Sequence, residues 1–109
     1  MKYSVLVSEK AVDDVIRNSE WWAKNYSQEQ AARWEEAILK KIYSLDRFPE
    51  SNSLAHENPD FPYELREALF GLGSRPGYRI LFTIVGDCVN VLTVKAAEED
   101  WLSPDELKG

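Results

Sequence analysis

The chain has 109 residues, a formal net charge of −6 and a hydrophobic share of 44%. This length fits one domain over residues 1–109, with enough apolar side chains for one core. No apolar run approaches the roughly 20 residues of a membrane-spanning helix, and the start of the chain lacks a signal-peptide pattern. We therefore expect a cytoplasmic protein without membrane contact. One histidine and one cysteine argue against a zinc site or an internal disulfide, so we expect neither a metal nor a cofactor.

The charge is unevenly distributed along the chain. Residues 96–109 carry one basic and five acidic side chains, among them the run Glu98-Glu99-Asp100, whereas residues 61–95 carry four basic and three acidic ones. An acidic chain gains little from long-range attraction to phosphate groups. A role in binding nucleic acid would therefore rest on the local basic group between residues 61 and 95.

The first half of the chain predicts a strand followed by a helical hairpin. Residues 2–7 alternate as in a short strand, and serines at positions 8 and 27 are suitable N-caps for helices over 9–25 and 28–47. Pro49 ends the second helix. The expected buried stripes are Val12, Val15, Ile16, Ser19, Trp22, Ala23 and Tyr26 on the first helix, and Ala31, Trp34, Ile38, Leu39, Ile42 and Leu45 on the second. Since neighbouring helix positions lie about 100° apart, one of Trp21 and Trp22 is expected to be exposed.

The second half predicts strands. Residues 49–62 are rich in proline and polar residues and indicate a loop. Strands are expected over 64–70, 78–85 and 88–95, with Gly86-Asp87 as a two-residue hairpin turn of type I′ or II′. Ser103-Pro104 predicts a further helix start. The resulting fold class is α+β, with the helical hairpin packed on one face of a mostly antiparallel four-stranded sheet in the order β-α-α-β-β-β.

Four sequence segments resemble the RelE/ParE superfamily, the toxins of type II toxin–antitoxin (plasmid stabilisation) systems in bacteria. They are E-L-R-E-A-L-F-G at Glu64–Gly71, Y-R-I-L-F at Tyr78–Phe82, V-N-V-L-T-V-K at Val89–Lys95, and Leu45-x-x-Phe48-Pro49. The resemblance covers roughly residues 2–102 and depends on the order and spacing of these segments. It implies the same fold and an antitoxin protein as partner, while a homodimer stays open.

The resemblance also indicates site residues. Arg79 corresponds to a family catalytic position, and Arg66 and Lys95 are further candidates for contacting an RNA phosphate. As antitoxin- or target-binding residues we predict Arg66, Arg75, Arg79 and Lys95. The alternative for Arg79 is a structural ion pair with Glu64 or Glu67. His56 can titrate near neutral pH, but it lies in the predicted loop and not on a family catalytic position.

Three functions are compatible with these residues. The first is a toxin that binds a cellular protein such as gyrase, as ParE-like members are thought to do. The second is a ribosome-dependent mRNA endonuclease of the RelE type. The third is a non-toxic binding module or degenerate toxin. RNA cleavage needs a base, an acid and cations around the phosphate, and this set is incomplete here, which favours the first function.

Overall fold

The computed structural model describes residues 2–71, 77–96 and 104–107. Its strands and helices follow the predicted order β-α-α-β-β-β, and their bounds are β1 (Ser4–Val7), α1 (Glu9–Asn25), α2 (Gln28–Tyr43), β2 (Arg66–Phe70), β3 (Tyr78–Val85) and β4 (Cys88–Ala96). Short 3-10 turns lie at Ser44–Asp46, Pro49–Ser51, Asn58–Asp60 and Pro104–Leu107. No helix among these residues is long and apolar enough to cross a membrane.

Some predicted bounds were wrong by a few residues. The second helix ends at Tyr43 instead of residue 47, because the chain tightens there into the 3-10 turn Ser44–Asp46, a common way to end an α-helix. β1 and β2 each begin two residues later than predicted. The predicted helix start at Ser103-Pro104 falls partly outside the described residues, and the chain forms the 3-10 turn Pro104–Leu107 at this point.

Both helices begin as the sequence predicts, at serine caps. The side-chain oxygen of Ser8 accepts a hydrogen bond from the backbone N–H of Ala11 at 3.1 Å, and that of Ser27 accepts one from the N–H of Gln30 at 3.0 Å. Each serine thereby satisfies an N–H that has no partner within the helix. The two caps determine where the hairpin begins and where it turns.

The four strands form one mixed sheet in the order β1-β4-β3-β2. The central pair β3–β4 and the pair β2–β3 are antiparallel, whereas β1 pairs with β4 in parallel. Gly86 has a φ of +62° in the β3–β4 turn and Asp87 has no positive φ, which is the type II′ arrangement with glycine first. β4 and β3 are the two central strands.

One face of the sheet packs against both helices and forms the main core. The predicted stripe of α2 is confirmed, since Ala31, Trp34, Ile38, Ile42 and Leu45 are buried and Leu39 packs against them. From the sheet, this core receives Ala68, Ile80, Phe82, Val89, Val91 and Val94.

The buried stripe of α1 was predicted correctly only in part. Val15 is buried and Trp22 packs against the core as predicted. Val12, Ile16 and Tyr26 are 43%, 47% and 65% exposed instead, and the other buried residues of α1 are Ala11 and Asp14. The carboxylate of Asp14 is buried because it binds β4. β1 pairs with β4 only as far as Val91, so among the described residues no strand pairs with β4 beyond that point on this side.

Asp14 supplies the missing partner for β4. Its Oδ2 accepts hydrogen bonds from the Val94 N–H at 3.0 Å and from the Thr93 hydroxyl at 2.5 Å. Ser8 contributes at the same edge by donating its hydroxyl to the Leu92 carbonyl at 2.9 Å. A buried carboxylate is stable when its oxygens accept such hydrogen bonds, and this requirement turns α1 so that Asp14 faces the sheet.

The second face of the sheet is covered in part by the loop between α2 and β2. Ala55, Phe61 and Leu65 pack on Leu81 of β3, with Leu92 and Leu107 at the margin. The loop is joined to the edge of β2 by backbone hydrogen bonds, including Ala55 N to Leu65 O at 2.7 Å. The sheet is therefore buried by helices on one side and by a loop and the last 3-10 turn on part of the other.

Candidate functional site

Arg79 lies on the second face of the sheet and is only 4% exposed. Its Nη1 and Nη2 donate to the two carboxylate oxygens of Glu57 at 2.9 and 2.5 Å. Its Nε and Nη2 donate to Glu67 at 3.0 and 2.8 Å. Of the two ion-pair partners that the sequence offered for Arg79, Glu64 and Glu67, the structure contains Glu67. The sequence analysis did not predict the second partner, Glu57.

The surroundings of Arg79 hold its positive charge in place. Hydrogen bonding to Glu57 raises the pKa of Arg79, while burial works in the opposite direction and the bond to Glu67 raises it further. Glu57 is fully buried, so its carboxylate depends on these contacts. A cation already bonded to two internal carboxylates has little capacity left to bind an external phosphate.

His56 adds a third ligand-type side chain beside the two glutamates. Its Nε2 lies 3.5 Å from Glu57 Oε1, and His56, Glu57 and Glu67 offer ligand atoms within 4.8 Å of one another. An imidazole with two carboxylates is a donor set that several divalent metals accept. Here the guanidinium of Arg79 already bridges both carboxylates, so a metal ion would have to displace it. We therefore describe these residues as an ion-pair cluster.

The other predicted cations are also engaged by neighbouring groups. Arg66 Nη1 donates to the carbonyls of Asn52 and Glu50 at 2.6 and 3.2 Å, which holds the loop against β2, and its Nη2 pairs with Glu64 at 3.3 Å. Lys95 is 8% exposed and donates to Glu106 at 2.8 Å. Arg75 and the acidic residues Glu98, Glu99 and Asp100 lie outside the described residues.

The structure brings together only part of the predicted set. Arg79 and Lys95 are register partners on β3 and β4. Arg66 does not join them. The residue of β2 that pairs with Arg79 is Leu69, and Arg66 lies three positions before it. Since successive side chains of a strand alternate between faces, Arg66 and Arg79 project to opposite faces of the sheet.

Farther along β3 than the ion-pair cluster, the second face carries an apolar groove of about 510 Å³. Its lining residues are Leu6, Val7, Ser8, Tyr63, Thr83, Val85, Asn90, Val91 and Leu92. Leu6 and Val85 are well exposed at its margin. The sequence could have indicated this surface, because both residues lie on strand positions opposite to the core-facing ones.

Residues 5–101 match the family model described as "ParE toxin of type II toxin-antitoxin system, parDE". This chain belongs to the ParE toxin family. The match covers most of the chain and confirms the resemblance inferred from the strand and helix segments. It also confirms the general function, the toxin component of a type II toxin–antitoxin system.

Solved structures show the same fold as this ParE-family toxin. A chain of the chromosomal ParDE toxin–antitoxin system from P. aeruginosa is 16% identical, with a TM-score of 0.71 over 89% of this chain and 98% of that one. The RelBE2 toxin–antitoxin complex from Mycobacterium tuberculosis is 18% identical, with a TM-score of 0.59 and coverages of 88% and 99%. A free E. coli RelE toxin with two arginine-to-alanine substitutions is 22% identical, with a TM-score of 0.53 and coverages of 90% and 86%. No curated protein sequence matches the chain.

In the described part of this site, the positive charges are compensated by neighbouring carboxylates. Arg79 and Lys95 lie side by side but are each bonded to internal carboxylates. The neighbouring surface is an uncharged groove. Such an arrangement is suited to apolar and hydrogen-bonding contacts with a polypeptide and poorly suited to a chain of phosphates.

Proposed function

We propose that this ParE-family toxin arrests growth by binding a cellular protein, with gyrase as the first candidate, and that a cognate antitoxin neutralises it. The observation that carries the proposal is the burial of Arg79 between Glu57 and Glu67. The proposal places the protein in the cytoplasm, where gyrase and the ribosome act.

The charge of the site supports protein binding over RNA cleavage. Cleavage adds negative charge to a phosphate that is already anionic, and preorganised cations stabilise that charge. Arg79 and Lys95 have their charge compensated by Glu57, Glu67 and Glu106. An RNase mechanism would first have to break these pairs, at a cost that the transition state would have to offset. The ribosome-dependent endonuclease is therefore the second candidate.

For the antitoxin we propose a helix or strand that lies across the second face of the sheet. The apolar groove would receive its hydrophobic side chains. The solved toxin–antitoxin systems with this fold support an antitoxin as the partner. The proposed polar contacts remain Arg66, Arg75, Arg79 and Lys95. Arg79 and Lys95 project to this face, whereas Arg66 projects to the opposite face and would be reached only around the sheet edge at β2. Lys95 can exchange its partner Glu106 for an antitoxin carboxylate more easily than Arg79 can exchange its partners, because Glu106 is more exposed than Glu57 or Glu67.

The target can be identified by inducing the toxin without its antitoxin and labelling DNA and protein synthesis separately. Early loss of replication, together with inhibited supercoiling by purified gyrase, is the expected result. Primer extension on mRNA in a translating extract tests the alternative. New cleavage stops that depend on the purified protein would reject the proposal and establish the endonuclease. Normal growth at full induction would leave the non-toxic binding module.

The antitoxin surface has its own test. The product of the adjacent reading frame is co-expressed, and the complex is purified through a tag on the antitoxin. Val85→Glu and Leu6→Glu should each lower the affinity at least tenfold, because a charge enters the apolar groove. Val12→Glu, on the exposed side of α1, is the control. Light scattering on the toxin alone decides whether it forms a homodimer.

A further inference from the structure

Phe48 has a strained backbone, with φ 52° and ψ 45° in the left-handed region. It is the only non-glycine residue with a positive φ among the residues that the structure describes. This conformation is costly for a bulky side chain, and the following Pro49 makes it less favourable still, because residues before proline prefer extended backbone. Strain of this kind persists only where surrounding contacts enforce it, and it is common at functional sites.

The contacts that enforce the strain are local. The Phe48 carbonyl accepts hydrogen bonds from the N–H and the hydroxyl of Ser51, at 3.0 and 2.7 Å. The carbonyl of the buried Pro49 accepts two from Asn52, at 3.2 and 3.0 Å. These bonds fix the backbone, yet the phenyl ring gains no burial from it and stays 71% exposed. The fold therefore holds an apolar ring in water at a cost in stability.

Cations outnumber carboxylates in the sequence around Phe48. The two nearest carboxylates have partners, since Asp46 pairs with Lys2 at 3.6 Å and Glu50 accepts a hydrogen bond from the Tyr3 hydroxyl at 2.7 Å. Lys40, Lys41 and Arg47 lie in the last turn of α2 and directly before Phe48, and among the described residues none of them has an ion pair. Most other described cations do, namely Lys2, Lys10, Arg17, Arg66, Arg79 and Lys95. Tyr43, 53% exposed, adds a second aromatic ring at the end of α2.

We propose that Phe48 is the aromatic anchor through which the toxin binds its protein target, and that the occupant is an acidic protein surface with a pocket for one phenyl ring. This inference rests on the proposed function, since it requires a protein target. Arg47 and the two lysines complement the acidic rim of that pocket, and a buried aromatic anchor with charged neighbours is the usual composition of a binding hot spot. We use the name anchor surface for the side chains at the C-terminal end of α2 and in the segment that follows it, namely Lys40, Lys41, Tyr43, Arg47 and Phe48.

A nucleic acid is the less suitable occupant of the anchor surface. Aromatic rings next to cations can stack with single-stranded bases, but Asp46 and Glu50 lie two residues to either side of Phe48. A base stacked on the ring would bring its phosphates close to these carboxylates. A folded acidic protein can instead place its carboxylates against Arg47 and the lysines and keep them away from Asp46 and Glu50.

Two variants of Phe48 separate binding from stability. Phe48→Ala removes the ring and keeps the positive φ, whereas Phe48→Gly removes the ring and relieves the strain. Both should require at least tenfold more toxin for growth arrest. Only the glycine variant should keep or raise the Tm, by up to about 4 °C. Tyr26→Ala, which removes another exposed aromatic ring at the far end of the hairpin, should leave the arresting concentration within twofold.

The affinity for the co-expressed antitoxin identifies the occupant. It should stay within twofold in both Phe48 variants, which also shows that they fold. Arrest at the wild-type concentration would overturn the inference and leave the proposed function intact. A tenfold loss of antitoxin affinity would assign the anchor surface to the antitoxin and reject the target as its occupant. If the wild type binds a single-stranded RNA oligonucleotide and both Phe48 variants lose that binding, the anchor surface would be assigned to nucleic acid. If the wild type cleaves mRNA, the proposed function fails first.

Discussion

The carboxylate of Asp14 and the hydroxyl of Thr93 share a 2.5 Å hydrogen bond although they are 79 positions apart in the chain. Through the same oxygen, Asp14 also satisfies the Val94 N–H. One buried carboxylate thereby joins the first helix to the last core strand at the point where β1 ends.

Replacing Asp14 with alanine should lower the free energy of unfolding by about 3 kcal/mol. A buried hydrogen-bond donor without an acceptor costs about 1–3 kcal/mol, and here the Thr93 hydroxyl and the Val94 N–H both lose their acceptor. Asp13→Ala, on the exposed side of the same helix, should stay within about 0.5 kcal/mol of the wild type. Urea unfolding measures both. Equal midpoints for the two variants would show that Asp14 does not bind the β4 edge in solution.

Replacing Glu57 with alanine should destabilise the fold by about 3–5 kcal/mol, the usual cost of leaving one member of a buried ion pair without its partner. The value should fall toward the lower end, since Glu67 still binds Arg79. Glu64→Ala is the matched control, because it removes an exposed partner of Arg66 and should cost less than about 1 kcal/mol. A Glu57→Ala chain as stable as this control would contradict the buried pair.

Replacing Ile38 with alanine should cost about 2–5 kcal/mol, because the side chain is fully buried between α2 and the sheet and its removal leaves a cavity. Val12→Ala tests the position of the buried stripe on α1, since Val12 is 43% exposed. It should change the free energy of unfolding by less than about 0.5 kcal/mol. A large loss for Val12→Ala in a denaturant melt would restore the stripe predicted from the sequence.

The stability of the fold should decrease at alkaline pH through two tyrosines. The hydrogen bond to Glu50 raises the pKa of Tyr3, and burial raises the pKa of Tyr63. The folded state therefore holds these protons more tightly than the unfolded state, so the stabilisation is complete below the unfolded pKa of about 10 and is lost as the pH rises through the folded pKa.

Chemical denaturation at intervals between about pH 8 and pH 11 measures this loss, and Tyr3→Phe and Tyr63→Phe should each reduce it. Phenylalanine keeps the ring and removes only the ionisable hydroxyl. The comparison with the wild type cancels the contribution of the lysines, which also titrate in this range. An unchanged slope in both variants would show that the two tyrosine hydroxyls are not the cause of the alkaline loss.

The elements that follow a simple period were predictable from the sequence. The α2 stripe was predictable because Trp34, Ile38 and Ile42 recur at helical spacing and bury against the sheet without polar exceptions. The stripe of α1 was predictable only in part, because Val15 and Trp22 lie in the core as predicted but the larger apolar side chains of Val12 and Ile16 were chosen over Ala11 and Asp14. Asp14 lies at helical spacing from Ala11, between Ala11 and Val15 on the buried face, and its polar character removed it from consideration.

The ion-pair cluster was only half predictable. Glu67 is a diagonal neighbour of Arg79 across β2 and β3, which strand alternation allows one to expect. Glu57 is 22 positions from Arg79 in a loop without a periodic pattern, so nothing in the sequence indicates that it folds back onto the sheet. The same applies to Phe48, because its position before proline predicts extended backbone and the hydrogen bonds of Ser51 override that preference.

The parallel pairing of β1 with β4 has a consequence for how the toxin matures during synthesis. β1 precedes the other described strands in the chain and its partner β4 follows them. Ser4 can therefore pair with Cys88 only after Cys88 has been synthesised. The helical hairpin and the β3–β4 turn involve contacts close in sequence and can form early, whereas closing a loop of this length is slow and entropically unfavourable. An unfinished chain therefore exposes the apolar faces of the hairpin and lacks the completed sheet. We therefore expect a chain truncated before β4 to be unable to complete the sheet and to be more susceptible to proteolysis than the folded toxin.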